Sequence, residues 1–428
     1  MRVLVLDLTH GGEVLARAYA RRGDDVTAVD VYRTAPPALR SQLAEEGVAV
    51  RDAAPEADFE LGVAPIHCPD AFFGRARCER RITHHQAVGE LASFPFPVVE
   101  VTGTRGKTST CQLLARVLAD QGKKVLLLTS GGLQVVEEDR TTVLETKVSI
   151  APPTILHVAE KGYQADVGVF EDSLGGTGVG AVSVITTTAG DYPIARGTRW
   201  AVDGKRQMAR LARHAVVFPT EEGRVWAPHI ARAANATTFG RGGDIEVTLS
   251  DLDLRRGGVF SLSEADEMVE AKLTPGYLAP CYETAFGAAA AVARCLGVPL
   301  DAVASTISSF RGAPGRGEVH VIDGRVVVRD HNPGVSAGSI AWNARALDAY
   351  GCQDVGAVID PVNVKVCEKL ELTAVRAALQ ASPAVKGSYL LPPPGWTGGS
   401  DGFQAIKDVR EAMENHEVVL WCTKEGYL

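Results

Sequence analysis

The chain predicts an α/β fold of parallel sheets wound with helices, set out in three successive domains. Three stretches predict it. Residues 2–30 read as strand, glycine loop, helix and strand, with an acid closing the second strand. Residues 98–128 repeat that order around Gly103-Thr104-Arg105-Gly106-Lys107-Thr108. Residues 336–422 alternate helices (336–347, 367–380, 403–415) with strands (355–359, 388–391, 418–422), the pattern of a small sheet covered on both faces. The expected domains are 1–93, 94–312 and 313–428.

Composition narrows the function classes. The 428 residues are 46% hydrophobic and 22% charged, ordinary for a globular chain of several domains. A net charge of −8 argues against general nucleic-acid or anionic-membrane binding, and leaves room for a local basic pocket. The eight cysteines include no C-x-x-C pair, so free thiols in a reducing cytoplasm are expected. The opening strand is too short and too soon charged for a signal peptide, and no apolar run reaches membrane-spanning length.

Taken in order, residues 2–7 form an apolar strand, Thr9-His10-Gly11-Gly12 a loop and 14–21 a helix. The loop is not G-x-G-x-x-G, so bound dinucleotide is not predicted. His10 is a candidate ligand contact, with helix capping as the alternative. His67, Cys68, Cys78, His84 and His85 match no zinc spacing and read as structural. Residues 82–91 form a helix, and Pro95 and Pro97 mark the linker into the second domain.

Residues 98–102 are a buried strand, and the helix that follows the glycine turn runs to about residue 119. Backbone N–H groups around Gly103–Gly106 and the helix N-terminus form a cradle for a polyphosphate. Lys107 reaches the terminal phosphates and Thr108 offers a hydroxyl to Mg²⁺. The loop therefore predicts a bound polyphosphate and magnesium. Residues 131–149 read as a polar, turn-rich stretch, 155–161 as a helix and 165–170 as a strand. Glu171 and Asp172 stand at that strand's carboxyl edge, where a second Mg²⁺ anchor is needed. Strands at 182–188 and 214–218 flank a helix at 200–213 that carries Lys205. Residues 244–262 alternate as paired strands, and 282–295 is an alanine-rich helix. Beyond Gly312, Arg316 lies in a glycine-rich hinge, 319–328 forms a hairpin turning at Asp323-Gly324, and Asp330-His331-Asn332-Pro333 follows. Residues 392–399 are a Pro/Gly loop, most simply a surface crossover.

The Gly-Thr-x-Gly-Lys-Thr loop resembles that of the Mur ligase family, ATP-dependent enzymes that activate a carboxylate as an acyl phosphate. Glu171, Arg316 and His331-Asn332-Pro333 extend the resemblance over the whole chain. It implies that the first domain holds the large substrate, facing Thr9, His10, Gly11 and Gly12. It implies ATP on Gly103, Thr104, Arg105, Gly106, Lys107, Thr108 and Ser109, with Arg316, Asp330, His331 and Asn332 closing from the third domain. Thr108 and Glu171 would hold the metal. Lys205 would support metal or acyl phosphate, and is carbamylated in some members; a surface lysine is the alternative. The catalytic set is then Lys107, Glu171 and Lys205.

The chain also departs from the family. Arg105 stands for the usual Asn, Tyr192 for the metal-side His, and Val328 for an Asp. Pro280, Cys281 and Thr284 occupy the places of the adenine-contacting His and Asn residues. These changes, with Leu6-Asp7-Leu8-Thr9-His10-Gly11-Gly12 and Thr83-His84-His85-Gln86-Ala87-Val88, resemble a divergent branch that acts on an anionic nickel tetrapyrrole. An amide ligase and a P-loop NTPase switch are the alternatives; Arg316 and the third domain weigh against the switch.

Overall fold

The computed structural model describes residues 1–230, 234–361, 370–393, 396 and 399–424. The chain divides into two compact units, 1–244 with 288–298, and 245–287 with 299–428.

The first unit holds two sheets. Five parallel strands stand in the spatial order Ala49–Arg51, Asp25–Val29, Arg2–Leu6, Asp58–Ala64, Arg77–Thr83. Eight more follow the order Asn235–Phe239, Ala215–Pro219, Val182–Ile185, Val98–Thr102, Val167–Glu171, Val125–Thr129, Gly132–Glu137, Arg140–Glu145. The first six of these are parallel and the last two form an antiparallel hairpin. Strands Val98–Thr102 and Val167–Glu171 are buried along their whole length, as strands covered on both faces must be. One apolar core joins the two sheets: Val5, Val63 and Val88 share it with Ile155, Leu126 and Phe170.

The hairpin corrects the expected turn-rich stretch at 131–149. Leu133, Val135 and Val136 are buried while Arg140-Thr141-Thr142 lies at the sheet edge. An edge strand with one wet face carries few apolar residues, which hid the second half of the pair.

Glu100 sits in the middle of this sheet with no exposed surface. Its carboxylate accepts from Thr177 N (2.6 Å), Thr177 Oγ1 (2.6 Å), Gly178 N (3.0 Å) and Gly180 N (3.0 Å). Four donors converge on one buried anion. Glu100→Gln turns an amide N–H₂ toward donors and is expected to lower unfolding free energy by about 3 kcal/mol. Urea denaturation checks this; an unchanged midpoint would mean that the carboxylate carries no structural weight.

The second unit pairs three antiparallel strands, Glu246–Asp253, Gly257–Glu264 and Glu267–Leu273, one more than the two expected. Its other sheet follows the order Glu318–Ile322, Arg325–Asn332, Val418–Lys424, Val355–Asp360, Val385–Leu390, Gln404–Ala405, and is parallel apart from the first strand. The expected helix at 403–415 resolves into the strand Gln404–Ala405 and the helix Val409–Asn415. Asp408 is the reason: its carboxylate caps Arg410 N at 2.8 Å, while Glu411 reaches back to Asp408 N at 3.2 Å. That capping box starts the helix there. The helix expected at 367–380 is seen as Leu372–Gln380, and residues 362–369 lie outside the described residues. Residues 394, 395, 397 and 398 of the Pro/Gly loop also lie outside them.

Candidate active site

The glycine turn joins strand Val98–Thr102 to helix Lys107–Asp120. Gly103 has φ 147°, and a Cβ there would lie 1.9 Å from Thr186 Oγ1; Gly106 has φ 79° at the helix start. Only glycine accepts both positions without strain. Thr104 ties the turn down by donating from N to Thr187 O (2.9 Å) and from Oγ1 to Ala189 O (2.8 Å). Thr186 Oγ1 donates to Arg105 O. Glu222 in turn accepts from Thr187 Oγ1 (2.9 Å) and Thr188 N (2.6 Å), anchoring the neighbouring strand end.

Lys107 Nζ donates to Gly103 O at 3.2 Å and stands 4.0 Å from Glu171 Oε1. Thr108 Oγ1 donates to Glu171 Oε2 at 2.9 Å, and Ser130 N donates to the same oxygen at 3.2 Å. Ser130 Oγ lies 3.4 Å from Thr108 Oγ1. Lys107 and Thr108 thus meet Glu171, sixty-odd residues on, at one strand edge. Ser109 is buried in the first turn of the helix.

Asp172 differs from its neighbour Glu171. It is fully buried, neither carboxylate oxygen has a hydrogen-bond partner among the described residues, and His85 Nε2 is 3.7 Å away. Burial, reinforced by the charges of Glu100 and Glu171, pushes its carboxyl far above the usual range.

Lys205 is not a surface lysine. Its residue is 1% exposed, and Nζ donates to Ala201 O at 3.2 Å. Burial lowers its pKa to about 8; Asp191 opposes this and Lys107 adds to it. An amine poised there is partly neutral near physiological pH, the state that reacts with electrophiles. Asp191 Oδ1 accepts from Val202 N (2.9 Å), and Tyr192 is exposed.

The shift has a signed consequence. Below about 8 the native state carries a buried charge that the unfolded chain carries in water. Stability from this group therefore rises as pH climbs from about 8 toward 10.5. In carbonate-free buffer Lys205→Met is expected to gain about 3 kcal/mol at pH 7, a gain that fades by pH 10. Chemical denaturation across that range checks it; a gain that does not vary with pH would contradict the burial argument.

The opening loop forms a second cluster in the same unit. Asp7 ends the first strand with φ 72° and is wholly buried. Its Oδ1 accepts from Thr9 N (3.0 Å) and His10 N (3.2 Å), and its Oδ2 pairs with His10 Nδ1 at 2.6 Å. Asp7, not His10, is therefore the capping residue. Thr9 Oγ1 hydrogen-bonds Thr34 Oγ1. Gly11 has φ 88° and no room for a Cβ against Pro153, and a Cβ on Gly12 would lie 2.2 Å from Asp7 O. Gly12 is buried, so these two glycines serve close packing, and the polar face of the loop belongs to Thr9 and His10.

His67 joins this cluster from a distant loop, with Nε2 3.5 Å from Asp7 Oδ2. His84 and His85 begin the helix His84–Leu91, and burial lowers their pKa values to about 3 and about 4. Cys68 and Cys78 stay outside the cluster, and the described cysteines are all free thiols. Sequence reasoning missed Asp7 and Glu222. The Asp-x-Thr-His order of an Asx turn could have flagged the first; nothing local marks the second.

In the second unit, Asp330 is buried and both oxygens are engaged, Oδ1 by Asn332 Nδ2 and Oδ2 by Asn343 Nδ2, each at 2.8 Å. Asn332 Nδ2 also donates to Gly315 O at 2.9 Å, as does His331 N. His331 packs edge-on against Trp421 at 4.6 Å, and burial together with Arg329 lowers its pKa to about 4. Tyr282 Oη donates to Arg316 O at 2.8 Å. Asp330, His331 and Asn332 thus brace the loop that carries Arg316.

The model of the Mur ligase middle domain matches residues 101–189, the stretch holding the glycine turn, Lys107, Thr108 and Glu171. A coenzyme F(430) synthetase of Methanosarcina acetivorans is 35% identical over 363 residues, covering 78% of this chain and 77% of the relative. The chain belongs to the Mur ligase family. A coenzyme F(430) synthetase of Methanocaldococcus jannaschii is 29% identical, covering 47% of this chain and 48% of that one. The MurF ligase of Thermotoga maritima in complex with ADP shares the fold, with TM-score 0.58 and 16% identity over 96% of this chain and 94% of its own. A MurF from Acinetobacter baumannii also gives 0.58 at 16% identity, over 98% and 90%. As a Mur ligase this chain is an ATP-dependent ligase with the three-domain α/β architecture that its sequence predicted. Among the described residues no helix is long and apolar enough to cross a membrane.

Proposed function

We propose that this ligase is a cytoplasmic enzyme that closes a carbocycle on an anionic nickel tetrapyrrole. One observation carries the reading: the 35% identity to a coenzyme F(430) synthetase over three quarters of both chains. ATP phosphorylates a propionate side chain of the seco-acid precursor. A ring carbon then loses its proton to solvent and attacks the acyl carbon, the C–O bond to phosphate breaks, and ADP and phosphate are released.

Each residue has a part. A carboxylate is a poor electrophile, and a phosphoryl group turns its oxygen into a leaving group. The turn at 103–106 and the helix N-terminus hold the ATP phosphates, and Lys107 stabilises charge as the terminal phosphoryl group moves. Thr108 Oγ1, Ser130 Oγ and the Glu171 carboxylate are a set of hard oxygen donors around one point, which suits Mg²⁺. Thr108 and Glu171 would hold that ion, which supplies positive charge to the phosphates. Lys205 supports the metal or the acyl phosphate. Arg316 has the planar fork that binds phosphate oxygens in pairs, and Asp330, His331 and Asn332 brace the loop that carries it. The boundaries 1–93, 94–312 and 313–428 belong to this reading.

Incubation with the seco-acid precursor and ATP tests it. The expected result is ADP release that depends on the precursor, with a product lighter by one water. Turnover that requires an amino acid would make the enzyme an amide ligase, and constant ADP release without any acid would make it a switch; either outcome defeats the proposal.

A further inference from the structure

Resting on the substrate reading above, we propose that His10 Nε2 is an axial ligand to the nickel of the bound tetrapyrrole, and that Asp7 is its positioning residue. The macrocycle supplies four equatorial nitrogens, which leaves its faces open to a protein donor. The imidazole of His10 is built for that place. Nδ1–H of His10 donates to Asp7 Oδ2 at 2.6 Å, so in the neutral ring the Nε2 lone pair is the outward one; the same contact raises the His10 pKa, and nickel takes Nε2 in place of a proton. Nε2 has no hydrogen-bond partner among the described residues, and the side chain is 48% exposed. Tyr32 and His67 stand edge-on to the ring at 5.7 and 4.7 Å and fix its plane. A buried carboxylate behind an exposed, ring-locked histidine is how metal-ligating imidazoles are oriented.

The cavity beside it agrees. It measures about 310 Å³ and is lined on one side by His10, His67 and His84, and on the other by Ser173 and Leu174. Those two residues directly follow Glu171 and Asp172. The space admits a carboxylate arm and not a whole macrocycle. A tetrapyrrole held at its metal by His10 can therefore send an acid side chain toward the strand edge where Lys107, Thr108 and Glu171 meet.

A free metal ion held by Asp7, His10 and His67 is the rival, since one ligand atom of each lies within 4.8 Å of the others. The hydrogen bonds decide against it. Asp7 Oδ1 already accepts two backbone N–H groups, and an ion between Oδ2 and Nδ1 would have to displace the 2.6 Å bond. Coordination through Nε2 breaks none of these. The lone pair of Nε2 is donated to nickel, a proton held on Nε2 leaves to solvent, the Nδ1 proton stays on the ring in its hydrogen bond to Asp7, and no oxidation state changes.

The experiment uses the full chain and the seco-acid nickel precursor without ATP, so that no chemistry occurs. Nickel K-edge absorption and the visible spectrum report the axial ligand, and equilibrium dialysis reports binding. Wild type is expected to bind the precursor and add one axial nitrogen. His10→Ala loses that nitrogen, keeps its affinity for ADP, and regains the signal when imidazole is added. Asp7→Asn weakens precursor binding by about 10-fold or more and shifts the nickel spectrum. Precursor bound with unchanged nickel coordination, or an axial signal that survives in His10→Ala, overturns the axial assignment while leaving the substrate reading intact. Failure of wild type to bind the precursor defeats both. Stoichiometric uptake of Ni²⁺ alone, lost in His67→Ala, would establish the free-ion site instead.

Discussion

Lys107→Ala is expected to lower ATP-dependent product formation by about 10²–10³-fold. The lysine stands at the mouth of the glycine turn, 3.2 Å from Gly103 O and 4.0 Å from Glu171 Oε1. Phosphoryl transfer asks the protein mainly to place groups and balance charge, so a cation lost at that point is lost from the transition state. The fold does not depend on it. Helix Lys107–Asp120 is held by Cys111, Leu113, Leu114, Val117 and Leu118, all buried, and the turn by Thr104 and Thr186. The circular dichroism spectrum and unfolding midpoint should therefore match wild type while kcat collapses. Lys107→Arg keeps the charge but changes the shape of the donor, and is expected to recover only part of the rate. Normal turnover in Lys107→Ala would remove the turn from the chemistry altogether.

What the sequence made legible follows from how local each signal is. The turn at 103–108 was readable because glycine, lysine and threonine act through backbone geometry within six residues, between two apolar strands. Glu171 was readable as an acid at a strand's end and was chosen over Asp172 by family resemblance; the fold adds the geometry, bringing Thr108 and Ser130 to its oxygens. Lys205 carried no sequence mark of burial; a helix with Ala201, Gly204 and Met208 on the buried side encloses it. His67 was read as scatter because its partner, Asp7, looked like the polar end of a strand. His67 reaches it across sixty residues, a distance that spacing rules cannot see. The edge hairpin and the Asp408 cap were missed for a different reason, since both depend on a few polar residues set against a weak apolar pattern.

The two neighbouring acids allow a sharp test of the metal assignment. Glu171→Gln preserves shape and can still accept from Thr108 Oγ1, now at 2.9 Å, but removes the negative charge. If this carboxylate binds Mg²⁺, turnover at low Mg²⁺ should fall by about 100-fold and recover partly as Mg²⁺ is raised. If Glu171 only ties Thr108 to Ser130, the amide does most of the same work and the Mg²⁺ dependence stays where it was. Asp172→Asn is the control that separates charge from position. Burial and the fields of Glu100 and Glu171 push the Asp172 carboxyl well above its ordinary range, which favours its neutral form. An amide in place of the favoured neutral acid alters little charge, and the Mg²⁺ titration should be that of wild type. A shift in Asp172→Asn with none in Glu171→Gln would move the metal one residue along the strand edge, toward His85 and the cavity beneath His10.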